Sequence, residues 1–90
     1  PEEVEQVLHS HPAIDEAAII GIPDETWGEV VRAIVVLKQN GNVTEEELIQ
    51  YCRDKLSSFK KPESVIFVEE LPRNTLGKVI KRQLRETWKN

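Results

Sequence analysis

Between Ile14 and Ile22 the chain carries apolar residues on both faces of an extended segment, Ala17 and Ile19 on one and Ala18, Ile20 and Ile22 on the other. Side chains alternate across a strand, so such a segment is stable only when both of its faces are covered. With 90 residues, 39% of them hydrophobic, the chain supports one thin core and excludes a second independent domain. The fold must therefore layer a few elements about this strand.

Pro1 at a favourable first helical position, Glu2 and Glu3 near the positive helix end, and Val4, Val7 and Leu8 on one face predict a helix from about residue 1 to 10. His11-Pro12 ends it, and Gly21 with Pro23-Asp24 punctuates the strand that follows. Val31, Ala33, Val35 and Leu37 line one face of a second strand, with Arg32 and Lys38 on the other. That alternation predicts an antiparallel partner exposed on one side. After the Asn40-Gly41 turn, Thr44 and Glu47 have the spacing of a capping box, and Leu48, Ile49, Cys52 and Leu56 predict a helix over 45–57. Phe59-Lys60-Lys61-Pro62 reads as a loop, and Val65 to Val68 as a short strand ended by Pro72. Past the turn from Asn74 to Gly77, Ile80, Leu84 and Trp88 recur every four residues on a final amphipathic helix. The order α-β-β-α-β-α predicts an α+β fold: a small three-stranded, mainly antiparallel sheet packed with helices.

Several function classes drop out. No apolar run approaches the ~18 residues of a membrane span, and no basic start leads into a cleavable apolar stretch. The single cysteine excludes an internal disulfide framework and a multi-cysteine zinc site, which favours an intracellular, cytoplasmic setting. Cys52 falls on the apolar helix face and reads as core. His9 and His11 lack metal-ligand spacing and read as helix-end residues, so no metal site is expected. The chain has no methionine, so it is expected to be trimmed or cut from a longer polypeptide and to act within an assembly.

Charge is unevenly placed. Residues 1–70 carry six Lys/Arg against fifteen Asp/Glu, whereas residues 71–90 carry six against Glu86 alone, which makes the end cationic on an acidic body. Such asymmetry marks an anionic partner or a solvated face. No aromatic interleaves Lys81, Arg82 and Arg85, so docking on another protein surface or solvation is expected rather than nucleic-acid binding.

The sharpest local feature is Leu71-Pro72-Arg73-Asn74-Thr75-Leu76-Gly77-Lys78, a turn that delivers a lysine just before a helix. A cation there does nothing for the helix dipole and suits an anionic ligand; an ordinary glycine turn with a solvated lysine is the alternative. Continued through Val79-Ile80-Lys81-Arg82, this string resembles the closing motif of acyl-CoA synthetases, members of the adenylate-forming superfamily that includes luciferases and peptide-synthetase adenylation domains. Three further stretches agree in order and spacing: Pro1 to Glu5; Ala18 to Asp24 with Trp27-Gly28-Glu29; and Phe59-Lys60-Lys61-Pro62. The resemblance covers essentially the whole chain.

The resemblance implies that residues 1–90 are the mobile C-terminal cap of an AMP-forming acyl-CoA ligase, whose large N-terminal domain binds ATP, its Mg2+ and the carboxylic acid. Lys78 matches the family's adenylation lysine, set by the turn residues Pro72, Asn74 and Gly77. Trp27, Phe59 and Lys61 match positions near the CoA nucleotide, although Trp27 and Phe59 could equally pack against the sheet. Glu63 stands where family members often carry a basic residue. The implied partners are the chain's own large domain, acyl-AMP, CoA and a lysine acetyltransferase acting at Lys78. Two other readings are the cap of a peptide-synthetase adenylation domain and a non-catalytic binding module with a basic helix. No Ser/Thr/Gly-rich phosphate loop precedes a helix, so the chain alone is expected to fold but not to adenylate an acid.

Overall fold

The structure is a computed structural model and describes residues 2–56 and 61–89. In chain order the elements are α1 (Glu2–His9), β1 (Ile14–Asp24), β2 (Gly28–Leu37), α2 (Glu45–Lys55), β3 (Ser64–Phe67) and α3 (Lys81–Trp88). The predicted order holds, with boundaries moved by up to three residues. The α2 start is built as its sequence requires: Thr44 Oγ1 accepts the Glu47 amide at 3.1 Å, and Glu47 Oε1 accepts the Thr44 amide at 2.9 Å. Each side chain thereby satisfies a backbone donor that the first helical turn leaves unpaired.

The sheet order is β1-β2-β3. The long β1–β2 ladder is antiparallel, and the short β2–β3 ladder is parallel, with Arg32 opposite Ser64 and Val35 opposite Phe67. Parallel pairing follows from the connection, because β3 is reached through a crossover that contains α2. The sheet is therefore mixed, with the longer ladder antiparallel.

Two apolar clusters fill the two sides of this sheet. On one side Ala17, Ile19, Ala33, Val35 and Val65 meet Val4 and Leu8 of α1 and Leu48 and Cys52 of α2. On the other, Ala18, Ile20, Ile22, Ile34 and Val36 meet Leu84 of α3 and Leu71, which precedes the Lys78 hairpin. Ile14 shares a side with Ala17 despite its even number, because the register shifts between Ile14 and Glu16. One extra residue in a strand reverses the facing of everything beyond it.

The expectation of a β2 exposed on one side is overturned. Ala33, Ile34, Val35 and Val36 are all buried, because α3 lies across the face that the Arg32–Lys38 alternation had assigned to solvent. Arg32 contributes to that cover: its guanidinium donates to the Trp88 carbonyl at the end of α3, and its Nε to Ser64 Oγ at 2.9 Å. A cation at a helix C-terminus also suits the dipole.

Among the described residues the outer edge of β1 has no strand beside it, and α1 covers it with side chains. His9 Nε2 accepts the Ala17 amide at 3.2 Å, Glu5 Oε2 accepts the Ile19 amide at 2.8 Å, and Pro23 further along has no amide to offer. Blocked donors keep an open edge from pairing with another chain. His9 is thus more than the helix-end residue expected, and His11 takes its own place with Nδ1 accepting from Ala13 at 3.0 Å and its ring edge-on to Tyr51.

Candidate functional site

Lys78 lies on a small hairpin rather than on the end of a helix. Arg73 and Val79 form a bridge, the Ile80 amide donates to Pro72 O at 2.9 Å, and the Asn74 amide donates to Lys78 O at 2.9 Å. At the tip, Gly77 donates to Asn74 O at 3.0 Å and adopts φ +85°, a left-handed conformation that glycine takes without strain. Asn74 Oδ1 accepts both the Leu76 amide at 2.9 Å and the Lys78 amide at 3.0 Å. The predicted turn residues Pro72, Asn74 and Gly77 thus all hold the loop that carries Lys78.

Helix α3 begins at Lys81, behind Ile80 at its N-cap, so Lys78 precedes the helix as the sequence predicts, and the cations in the first helical turn are Lys81 and Arg82. Lys81 Nζ is bound 2.6 Å from Glu5 Oε2, whereas the Lys78 side chain is exposed beside Leu76, itself 83% exposed. Two residues that the sequence did not mark complete the hairpin: Arg73 Nη1 donates to Gly77 O at 2.6 Å, and Arg73 Nη2 pairs with Glu16 of β1. A pair separated by 57 positions has no signature in sequence spacing.

Trp27 occupies the turn between β1 and β2. Asp24 Oδ2 accepts the Thr26 and Trp27 amides at 3.0 and 2.9 Å, and Gly28 follows with φ +81°. The indole is 78% exposed, so the alternative of packing against the sheet is ruled out for this residue. Lys61 is half-buried beside the fully buried Pro62. Phe59 lies outside the described residues.

The β3 register decides how these positions are grouped. Ser64 pairs with Arg32 and the Glu63 amide donates to Val31 O at 2.7 Å, so the chain enters β3, just after Lys61, at the end of the sheet where β2 begins and the Trp27 turn lies. The Lys78 hairpin is tied to Glu16, near the opposite end of β1. From Glu16 to Asp24 is eight positions, about 25 Å at ~3.3 Å per residue. Trp27 and Lys61 therefore share one end of the sheet, and Lys78 stands at the other. A groove of about 320 Å³ lined by Val68, Pro72, Leu84 and Trp88 lies against α3 and includes none of these three residues.

Residues 3–78 match the family model described as the AMP-binding enzyme C-terminal domain. This chain belongs to that family. Within it, the chain is 49% identical over 86 residues to a 2-succinylbenzoate–CoA ligase from Bacillus mycoides (strain KBAB4), covering 96% of this chain and 18% of that protein. It is 47% identical over 88 residues to the long-chain-fatty-acid–CoA ligase FadD13 of Mycobacterium tuberculosis, covering 98% of this chain and 17% of the relative. Among solved structures, apo MatB from Rhodopseudomonas palustris superimposes with a TM-score of 0.95 at 42% identity, over 100% of this chain and 18% of that one. The chain thus spans less than a fifth of the relatives it matches, and what it shares with them is the small C-terminal domain. Among the described residues no helix is long and apolar enough to cross a membrane.

Proposed function

We propose that this chain is the mobile cap of an AMP-forming acyl-CoA ligase and supplies residues to both half-reactions. In the first, a carboxylate attacks the α-phosphate of ATP, giving acyl-AMP and releasing pyrophosphate. In the second, the thiol of CoA attacks the acyl carbon and AMP leaves. ATP, its Mg2+ and the acid belong to the large domain of the same ligase, and no residue of this chain is assigned to the metal. A cytoplasmic setting belongs to the same reading and is supported by the free, buried Cys52.

The observation that carries the proposal is the separation of Lys78 from Trp27 and Lys61 by the length of β1. A rigid domain of this shape presents one end at a time to a reaction centre, so each half-reaction calls for its own orientation of the cap. Lys78 stands exposed on a hydrogen-bonded hairpin, where an ammonium can sit between two anions that must meet, the acyl carboxylate and the α-phosphate. At the other end an exposed indole offers a flat face to adenine, and Lys61 offers a cation to phosphate. CoA is favoured as acceptor over a carrier-protein arm because the relatives named above are CoA ligases.

The test uses the full-length ligase and follows the half-reactions separately. Lys78→Ala is expected to slow acyl-AMP formation by about two to three orders of magnitude, the scale of one positioned electrostatic stabiliser. Thioester formation from supplied acyl-AMP should survive. Equal losses in both steps would refute the assignment.

A further inference from the structure

We infer that Arg73 and Glu16 are positioning residues for Lys78, holding the backbone that aims its ammonium; this rests on the reading of Lys78 given above. The peptide unit joining Gly77 to Lys78 is bound at both ends. Its N–H donates to Asn74 Oδ1 at 3.0 Å, and its carbonyl accepts Arg73 Nη1 at 2.6 Å. The unit most in need of such restraint is this one, because Gly77 at φ +85° has no side chain to limit its rotation. With both ends bound, the plane cannot turn over without breaking two hydrogen bonds, one of them charge-assisted.

Arg73 is itself anchored. Its second terminal nitrogen pairs with Glu16, a residue of β1, while its backbone bridges Val79 across the hairpin. One planar guanidinium therefore joins the strand that runs the length of the sheet to the carbonyl immediately before Lys78. Lysine cannot reproduce this arrangement, since it offers a single point of charge in place of two donors fixed at a set angle. Through Arg73 the orientation of β1 reaches the lysine backbone. A domain that has to deliver one ammonium to a reaction centre after a rigid-body swing requires this kind of connection, because a displacement of about 1 Å at a reacting group costs on the order of a hundredfold in rate.

The experiment compares Arg73→Ala, Arg73→Lys and Glu16→Gln with Lys78→Ala in the full-length ligase, measuring acyl-AMP formation, thioester formation from supplied acyl-AMP and the thermal midpoint. Arg73→Ala should lower the first-step kcat by about tenfold to a hundredfold. The KM values for ATP and acid should stay near those of the parent, the second step should stay within about twofold, and the thermal midpoint should hold. Arg73→Lys should remain close to Arg73→Ala. Glu16→Gln should lose less in the same direction, about twofold to fivefold, because the Glu16–Arg73 pair is partly exposed. A first step untouched by Arg73→Ala while Lys78→Ala abolishes it would overturn the positioning role alone. Full rescue by Arg73→Lys would reduce Arg73 to a charge, and equal losses in both steps with a fallen thermal midpoint would reduce it to a fold support; either overturns the inference. If Lys78→Ala spares the first step, the proposed function fails and the positioning role fails with it.

Discussion

Glu5 Oε2 lies 2.6 Å from Lys81 Nζ and 2.8 Å from the backbone nitrogen of Ile19, so a single carboxylate oxygen ties α1, the open edge of β1 and the first turn of α3. Burial pushes the Glu5 carboxyl up, but the Lys81 bond and the Ile19 amide outweigh it and hold the group below its ordinary 4.5. A carboxylate with a lowered value in the folded state stabilises the fold above its unfolded value, and that contribution is lost as pH falls through the folded value. Glu5→Gln should therefore cost about 0.5–1 kcal/mol at pH 7, with the ion pair discounted for partial exposure. The gap between parent and variant should begin to narrow as pH falls below about 4.5 and close as it passes through the lower folded value. Urea titrations at pH 7 and pH 3 check this, and a gap independent of pH would contradict it.

Cys52 is fully buried between α2 and the sheet, and the loss of solvation pushes its thiol up from 9.0 to about 11. Only the thiolate reacts readily with disulfide reagents, so the native thiol should be inert at pH 7.5. In urea it should react at the rate of a free cysteine. Rapid labelling of the folded chain by an aromatic disulfide would show that α2 opens locally or that the thiol is ionised.

What the sequence revealed and what it hid divide along physical lines. Helix α2 was legible because its capping box and its apolar spacing are local, so Thr44 and Glu47 declare its start without reference to the rest of the chain. The hairpin around Lys78 was legible for the same reason: Asn74 and Gly77 are the residue types that the turn geometry demands. The second buried face of β2 was not. Arg32 reads as a solvent residue until α3 arrives 56 positions later and supplies its Trp88 carbonyl partner. The Glu16–Arg73 pair was hidden likewise, since its partners stand 57 positions apart, whereas the family resemblance had already set Lys61 beside Trp27.

Trp27 makes the opposite case from a core aromatic. At 78% exposure its removal leaves no cavity, so Trp27→Ala should change stability by less than about 0.5 kcal/mol. If the indole stacks on the adenine of CoA, the same substitution should weaken the apparent affinity for CoA by about tenfold, the order expected for one base on one ring. Acyl-AMP formation should be unaffected, because the turn lies at the far end of β1 from Lys78. Titration of CoA against preformed acyl-AMP reads this directly, and unchanged affinity would leave Trp27 without a role in the second step.

Lys78 separates charge from shape. Its side chain is exposed and only its backbone takes part in the hairpin, through the Asn74 amide and Asn74 Oδ1. Lys78→Arg and Lys78→Gln should therefore unfold within about 0.5 kcal/mol of the parent. Both should nonetheless lose acyl-AMP formation in the full-length ligase. Glutamine removes the charge, as acetylation of this lysine would. Arginine keeps the charge but spreads it over a planar fork, which cannot enter the space between a carboxylate and an α-phosphate that a compact ammonium fits. Arginine should rescue by no more than about tenfold over glutamine, because long-range attraction survives where close contact does not. Single-turnover measurement of pyrophosphate release from the two variants decides the point. Arginine activity equal to that of the parent would show that a net positive charge near the phosphate suffices, and the close contact assigned to Lys78 would then be wrong.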